Sequence, residues 1–146
     1  MILTLNPSNF NPSLKTAGVF VFVDKKVLLV KRAPGKSHAG KWGSPGGKQE
    51  GSETLIETAC RELFEETGIQ LNDKDLHLTH EYPIRGESLD YTFACYQCSL
   101  ADFPSIHLKL DEHTDYGWFT KDQVYDLPFM GHRDFLDDIF ARLNIS

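Results

Sequence analysis

Short runs of hydrophobic residues alternate with polar turns along the first third of the chain, and their composition predicts strands. Residues 17–23 (AGVFVFV) and 26–32 (KVLLVKR) are rich in β-branched and aromatic side chains. They flank Asp24 and Lys25, so we predict a β-hairpin. Residues 1–15, rich in Asn, Pro and Ser, predict an irregular lead-in, and the Gly/Pro-rich residues 33–47 predict a loop.

The second half of the chain predicts three more strands and two more helices. The strand candidates are residues 76–84, 89–100 and 116–120, and the helix candidates are residues 121–127 and 132–143. This mixture indicates an α/β or α+β fold in which helices cover a mixed sheet. Since no repeat or linker divides the chain, we expect one domain over residues 1–146.

Leu55–Thr67 is predicted to be a helix with a signal at each end. Thr54 followed by Glu57 fits a capping box at the start, and Gly68 fits the left-handed position after the end. At about 100° per residue, one set of apolar positions forms the expected buried face. Its members are Leu55, Ile56, Ala59, Cys60, Leu63 and Phe64.

Three glutamates converge at the end of this helix. Glu62, Glu65 and Glu66 fall within about 100° of one another, at the edge of the predicted buried face. Like charges at this spacing repel, and a helix C-terminus disfavours acids. Either the cluster is a polar rim that tolerates the repulsion, or a divalent cation relieves it. Oxygen ligands alone favour Mg²⁺ or Mn²⁺. On the same helix, Glu57 and Arg61 are expected to form a surface pair.

The charge distribution agrees with a site for an anion and a cation. Seven basic residues and no acid lie from Lys25 to Lys48, and six glutamates lie from Glu50 to Glu66. Two solvated faces would give the same pattern. A net charge of −6 argues against broad binding to nucleic acid.

Further features of the sequence bear on the cellular compartment and on the role of the cysteines. The chain has no apolar run long enough for a membrane span and no signal-peptide pattern at its start, so we expect a cytoplasmic protein without a membrane partner. Cys95 and Cys98 are three apart in a predicted strand and should face opposite sides, which argues against a metal or redox pair. Cys60 is expected in the core.

One run of the sequence resembles a known family. The run matches every fixed position of the motif Gly-x5-Glu-x7-Arg-Glu-U-x-Glu-Glu-x-Gly-U, where U is aliphatic. The matching residues are Gly47, Glu53, Arg61, Glu62, Leu63, Glu65, Glu66, Gly68 and Ile69. The chain therefore strongly resembles the Nudix hydrolases, and GKWGSPGGK before the motif and DYGWF near the end extend the likeness over residues 16–143.

The resemblance implies a fold, a reaction and a metal site. The fold is an α/β/α sandwich, and the reaction is Mg²⁺- or Mn²⁺-assisted hydrolysis of a nucleoside diphosphate linked to another group. By position, Glu62, Glu65 and Glu66 match the metal-binding acids, joined by the backbone carbonyl of Gly47 or Gly46. Glu53 and Arg61 match a pair that braces the motif, and Gly68 ends its helix.

The general base and the phosphate-binding groups are less clearly specified. Glu65 and Glu112 are both candidate bases, and Glu112 is alternatively an ordinary loop acid. We interpret His113 as a solvated histidine. For substrate phosphates we favour Arg32, at the end of the second strand, with Gly46 and Lys48 as further candidates. Trp42 is as well suited to the core as to stacking on a base.

Several functions remain open from the sequence. The leading hypothesis is a MutT-like enzyme that hydrolyses (deoxy)nucleoside triphosphates, oxidised ones among them, to the monophosphate and pyrophosphate. The second is an ADP-ribose or ADP-sugar pyrophosphatase, for which Pro83 is the only pointer, and removal of 5′ pyrophosphate from RNA is third. A sensor that binds a nucleotide without cleaving it is the alternative of another class, and the complete acid set argues against it. Either a monomer or a homodimer is compatible with the sequence.

Overall fold

The computed structural model describes residues 7–86 and 88–143. Within these ranges seven strands form one sheet. They are β1 (Pro12–Val23), β2 (Lys26–Arg32), β3 (Trp42–Gly43), β4 (Gly46–Lys48), β5 (His77–Arg85), β6 (Asp90–Ser99) and β7 (His113–Phe119). The α-helices of the same ranges are α1 (Leu55–Thr67), α2 (Lys121–Asp126) and α3 (Arg133–Leu143).

The sheet is mixed. Its main path runs β3-β2-β1-β6-β5, with β4 paired to β1 and β7 paired to β2. Only β1 and β6 pair in parallel among these strands, and the other pairings are antiparallel. The mixed fold class predicted from the sequence is therefore confirmed.

Alternation along β1 and β6 divides the core between the two faces of the sheet. In β1, Val19 and Val21 join the cluster that includes Ala59 and Leu63 of α1, whereas Phe20 joins the cluster on the other face. That second cluster contains residues of α2 and α3: Val124, Phe135, Leu136, Ile139, Phe140 and Leu143. Helices thus cover both faces, which gives the expected α/β/α sandwich.

The two cysteines of β6 follow the same alternation. Cys95 packs in the α3-side cluster and Cys98 in the α1-side cluster, so their side chains point to opposite faces of the sheet. Both are free thiols. Cys60 is partly buried against the α1-side cluster.

The hairpin between β1 and β2 is confirmed, and two predictions need correction. Asp24 and Lys25 have φ of 49° and 63°, as a tight turn between twisted strands requires. The irregular lead-in is shorter than predicted because β1 begins at Pro12, and residues 1–6 lie outside the described residues. The predicted loop 33–47 contains β3 and the start of β4, because backbone pairing to β1 and β2 needs no apolar side chains. None of the described helices has the length and apolar character that would let it cross a membrane.

Candidate metal and active site

Helix α1 has the predicted bounds and the predicted signals at both ends. Thr54 and Glu57 form the reciprocal capping box, and Gly68 adopts the left-handed conformation with φ of 79° while its N–H donates to the Phe64 carbonyl. The three glutamates near its end differ sharply in burial. The Glu65 side chain is 44% exposed, that of Glu62 is 13% exposed and that of Glu66 is 3% exposed.

The buried face of α1 is rotated relative to the prediction. Phe64 was expected in the core but is 53% exposed. Ala59, Leu63 and Glu66 lie at the centre of the buried stripe, and Phe64 falls more than 90° away from them. The sheet therefore packs against the side of the helix that carries Glu66, which is why this carboxylate lies inside the protein.

Strand β4 brings two glycines against the glutamates. The Gly46 N–H donates to Glu66 Oε2 at 2.8 Å. A Cβ at Gly47 would stand 2.5 Å from the Glu62 carboxyl carbon, and one at Gly46 would stand 2.5 Å from the Ala17 carbonyl oxygen. Only glycine at both positions lets β4 lie between β1 and the acids of α1.

Arg61 is the internal counter-ion of the cluster. Its guanidinium holds Glu53 at two points, with Nη2–Oε1 at 2.7 Å and Nε–Oε2 at 3.1 Å. Its Nη1 also donates to Glu62 at 2.7 Å and to Glu65 at 3.2 Å, and its Nη2 donates to the Lys48 carbonyl at 2.9 Å. The predicted surface pair of Arg61 with Glu57 is wrong, because Glu57 turns back to the Thr54 N–H at 2.7 Å.

The pKa shifts separate the acids into two groups. Hydrogen bonding to Arg61 chiefly lowers the pKa of Glu53 to about 2. Burial raises the pKa of Glu62, against the opposing effect of Arg61. Burial, then the charge of Glu62, raises the pKa of Glu66 well above its usual value. Glu66, the most buried carboxylate of the cluster, is therefore the one whose ionised form is least compensated by nearby positive charge.

Glu112 and His113 approach Glu66 from the start of β7. Glu112 ends the loop before this strand and pairs with Lys109 Nζ at 3.3 Å. His113 Nε2 lies 3.6 Å from Glu66 Oε1. The expectation of a solvated histidine is wrong, since the His113 side chain is 3% exposed. Burial, then the nearby charge of Arg32, lowers the pKa of His113 to about 4, so the imidazole is neutral at pH 7.

Sequence reasoning missed His113 as a member of the cluster. The sequence did place His113 directly beside Glu112, a candidate base. Its position in the fold follows from the register of β7 against β2, which puts it opposite Arg32. That pairing joins residues far apart in the chain, so local spacing alone did not reveal it.

The candidate phosphate-binding residues line a cavity of about 420 Å³ beside the acids. Arg32, Gly46, Gly47 and Lys48 lie on its polar side, and Arg32 donates from Nε to the Ser37 carbonyl at 3.2 Å. The apolar part of its lining is rich in aromatic rings and consists of Ile84, Tyr91, Phe93, Phe129, Met130 and Phe135. Trp42 packs edge-on against Phe119 and is partly buried against the α3-side cluster, which favours a packing role over stacking on a base.

The residues present fit a divalent cation. Glu62, Glu65, Glu66 and Glu112 supply hard oxygen donors. Burial raises the pKa of the buried Glu66 and of the partly buried Glu62. A positive ion beside them would reverse that effect. Arg61 neutralises part of the cluster, so the repulsion is not relieved by a metal alone.

Comparison with known proteins identifies the family. Residues 12–142 match the model of the NUDIX domain. A MutT-like protein from Streptomyces ambofaciens is 32% identical over 77% of this chain and 66% of its own length. Phosphatase NudJ of Escherichia coli (strain K12) is 36% identical over 58% of this chain and 55% of its own length. The chain thus spans less than two thirds of these relatives.

Solved structures show the same fold. The MutT protein from Methanosarcina mazei Go1 superposes with a TM-score of 0.78 at 22% identity, covering 92% of this chain and 97% of that one. The MutT NUDIX hydrolase from Burkholderia pseudomallei gives 0.73 at 27% identity, covering 92% and 99%. The NUDIX domain of Shewanella oneidensis NrtR, complexed with ADP ribose, gives 0.76 at 24% identity, covering 95% and 94%. With the motif intact from Gly47 to Ile69 and its acids gathered at one site, this chain belongs to the Nudix hydrolase family.

Proposed function

We propose that this protein is a Mg²⁺- or Mn²⁺-dependent pyrophosphohydrolase that converts (deoxy)nucleoside triphosphates, oxidised ones among them, to the monophosphate and pyrophosphate. The observation that supports this proposal most strongly is that β4 contacts both the large cavity and the acid cluster. Gly46 and Gly47 line the 420 Å³ cavity on one side, and on the other they contact the carboxylates of Glu66 and Glu62. A phosphate chain bound along β4 lies next to the acid cluster.

The acid cluster is the proposed metal site. Glu62 and Glu66, one turn apart on α1, would hold the principal cation together with the Gly47 carbonyl, and Glu65 would bridge to or share a second cation. When bound, the cation neutralises charge on the diphosphate and makes a bound water more acidic. Arg61 fixes the carboxylates of Glu62 and Glu65, so the site is preorganised before substrate arrives.

Positive groups on the cavity wall are proposed to hold the phosphates. Arg32 and Lys48 stand on the polar side of the cavity, and Ser37 orients the Arg32 guanidinium. Phosphoryl transfer depends chiefly on positioning and charge stabilisation, which these groups supply without covalent chemistry.

A carboxylate must accept the proton of the attacking water, and two candidates lie in reach of the cluster. Glu65 is the more exposed and accepts from Arg61, whereas Glu112 accepts from Lys109. Comparing Glu65→Gln with Glu112→Gln distinguishes them: the variant of the base loses the acidic limb of the pH–rate profile as well as most of kcat.

The apolar wall of the cavity is proposed to bind the base. Aromatic rings of Tyr91, Phe93 and Phe129 offer faces or edges to a planar heterocycle. The names of the MutT-like relative and of the MutT structures support the MutT-like resemblance from which we infer a triphosphate substrate.

An ADP-ribose or ADP-sugar substrate is the second candidate. The NrtR domain was solved with ADP ribose, so this fold accommodates a diphosphate between two sugars. The complete acid set makes a non-cleaving sensor the weaker alternative.

A substrate screen with Mg²⁺ or Mn²⁺ tests the proposal. Ordinary and oxidised (deoxy)nucleoside triphosphates should release pyrophosphate, and Glu66→Gln should abolish the release. AMP formed from ADP-ribose, with triphosphates left intact, would establish the second candidate. Binding without turnover of any nucleotide would establish the sensor and refute the enzyme.

A further inference from the structure

A second, much smaller cavity lies behind the glutamate cluster. It measures about 30 Å³, and its polar walls come from Arg32, Ser44, Glu66 and His113. A space of about 10–15 Å³ by the same measure is enough for one water molecule. This cavity is therefore large enough for a single ion or water between Glu66 and His113.

The buried side chain of His113 lines this cavity and carries an unpartnered ring nitrogen. Its side chain is 3% exposed, and its Nδ1 atom has no hydrogen-bond partner among the described residues. Its Nε2 lies 3.6 Å from Glu66 Oε1, which is beyond hydrogen-bond length. Buried polar atoms of this kind are rare, because an unpaired one has lost its hydration without gaining a hydrogen bond in exchange.

Donor atoms of three residues converge at this point. Each of Glu66, Glu112 and His113 offers one potential ligand atom, and these three atoms lie within 4.8 Å of one another. Two carboxylate oxygens and one imidazole nitrogen make a mixed donor set, unlike the proposed all-oxygen set of Glu62, Glu65, Glu66 and the Gly47 carbonyl.

The charges around the small cavity still favour a cation. Arg32 contributes one positive charge, but it donates to Ser37 and so holds the 33–41 loop. Glu66 and Glu112 bring two carboxylates, and Glu62 adds a third close enough to raise the pKa of Glu66. Glu112 pairs with Lys109 and Glu62 pairs with Arg61, so Glu66 is the carboxylate of the three without a salt bridge to Lys or Arg among the described residues, and a cation would complement it.

We propose that Glu66, Glu112 and His113 form a mixed nitrogen–oxygen metal subsite that selects a first-row transition-metal ion over Mg²⁺. The inference rests on the proposed metal-binding role of Glu66. Mg²⁺ is a hard ion that prefers oxygen, whereas imidazole is a better ligand for transition metals. Mn²⁺ binds most weakly in that series, so it gives the most stringent probe of the preference.

Pulsed EPR of Mn²⁺ bound to the full chain tests the subsite directly. We expect the electron spin echo of the metal to be modulated by a coordinated ¹⁴N nucleus, and the pattern to change to that of ¹⁵N when the protein is labelled with ¹⁵N-histidine. Labelling leaves the fold untouched, so this result does not depend on any variant. Absence of nitrogen modulation, or failure to bind Mn²⁺ at all, overturns the proposal.

Substitution assigns the nitrogen to one residue. His113→Gln should abolish the modulation and weaken Mn²⁺ binding by about tenfold, while Mg²⁺ binding changes by less than about twofold. His77→Gln, which alters an exposed histidine of β5, is the matched control and should keep both properties. Modulation that survives in His113→Gln, or equal weakening of both metals, contradicts the assignment. Failure of the proposed enzyme would be seen separately, as no nucleotide turnover by the wild-type protein with either metal.

Discussion

The glutamate cluster has two halves that differ in how their charge is balanced. The braced half consists of Glu53, Glu62 and Glu65 around Arg61, which contacts all three carboxylates. The open half consists of Glu66, Glu112 and His113. Among the described residues, the buried Glu66 accepts a hydrogen bond from the Gly46 N–H and has no salt bridge to Lys or Arg, Glu112 pairs with Lys109, and the neutral His113 adds no charge.

The comparison shows that Arg61 supplies positive charge to the braced half, whereas a bound cation would have to supply it to Glu66 in the open half. In the braced half a charge-assisted hydrogen bond holds the pKa of Glu53 at about 2. In the open half burial raises the pKa of Glu66 well above its usual value. The braced half maintains the architecture of the site, and the open half is where a cation would stabilise the protein most.

Glu66→Gln has the largest expected effect because it removes the central acid of the open half. We expect kcat for the best nucleotide to fall by about a thousandfold. Because burial raises the pKa of Glu66, ionising this carboxylate costs the folded state more than the unfolded state, and the cost is present in full above the raised pKa. The metal-free variant should therefore unfold at a denaturant concentration equal to or above that of the wild type.

Steady-state kinetics and urea unfolding measure these two outcomes. Glu81→Gln, on the exposed side of β5, is the matched control and should change neither. A Glu66→Gln protein that keeps full activity would remove Glu66 from the site.

Arg61→Ala tests the braced half. The substitution leaves Glu53 and Glu62 without their cation, and we expect a loss of about 2 kcal/mol in the free energy of unfolding. Arg61→Lys keeps the charge but not the two-point contact with Glu53, so an intermediate loss is expected. Chemical denaturation measures both, and equal stability of wild type and Arg61→Ala would show that Arg61 is not a brace.

Substitutions on the cavity wall should act on substrate binding. Arg32→Ala and Lys48→Ala are each expected to raise KM by about tenfold, because a charged contact to phosphate is lost. Lys36→Ala, in the exposed part of the same basic segment, is the control and should leave KM within about twofold. If the control raised KM as much as the other two, general attraction by the basic segment would explain binding.

The smallest predicted effect concerns acid stability. Since the pKa of Glu53 is lowered from 4.5 to about 2, its ionised form stabilises the fold fully above pH 4.5 and this stabilisation is lost as the pH falls towards 2. The difference in unfolding free energy between wild type and Glu53→Gln should therefore be constant from pH 5 to pH 7 and shrink at lower pH. A difference independent of pH would show that the ion pair with Arg61 contributes nothing.

Local signals were sufficient for the parts of the fold that depend on neighbours in the chain. The capping box at Thr54 and the glycine at 68 predicted both ends of α1, and β-rich hydrophobic runs predicted β1, β2 and β6. The short strands β3 and β4 escaped prediction because glycine-rich segments carry no side-chain pattern. The parallel pairing of β1 with β6 joins residues more than 70 positions apart, which no local pattern specifies.

The sequence predicted which residues belong to the site better than it predicted how those residues are arranged. The motif named the acids and glycines that the fold brings together. The resemblance also implied the contact between Arg61 and Glu53 that the structure contains. It did not show that Glu66 is buried, because that depends on which side of α1 meets the sheet. The burial of His113 depends likewise on the register of β7 against β2.

Calorimetric titration of the metal-free protein with Mg²⁺ and Mn²⁺, alone and with a non-hydrolysable nucleoside triphosphate, tests the central claim most directly. The account predicts uptake of a divalent cation that tightens when the nucleotide is present and is lost in Glu66→Gln. No uptake under either condition, or uptake unchanged in Glu66→Gln, would contradict the assignment of these glutamates as a metal site.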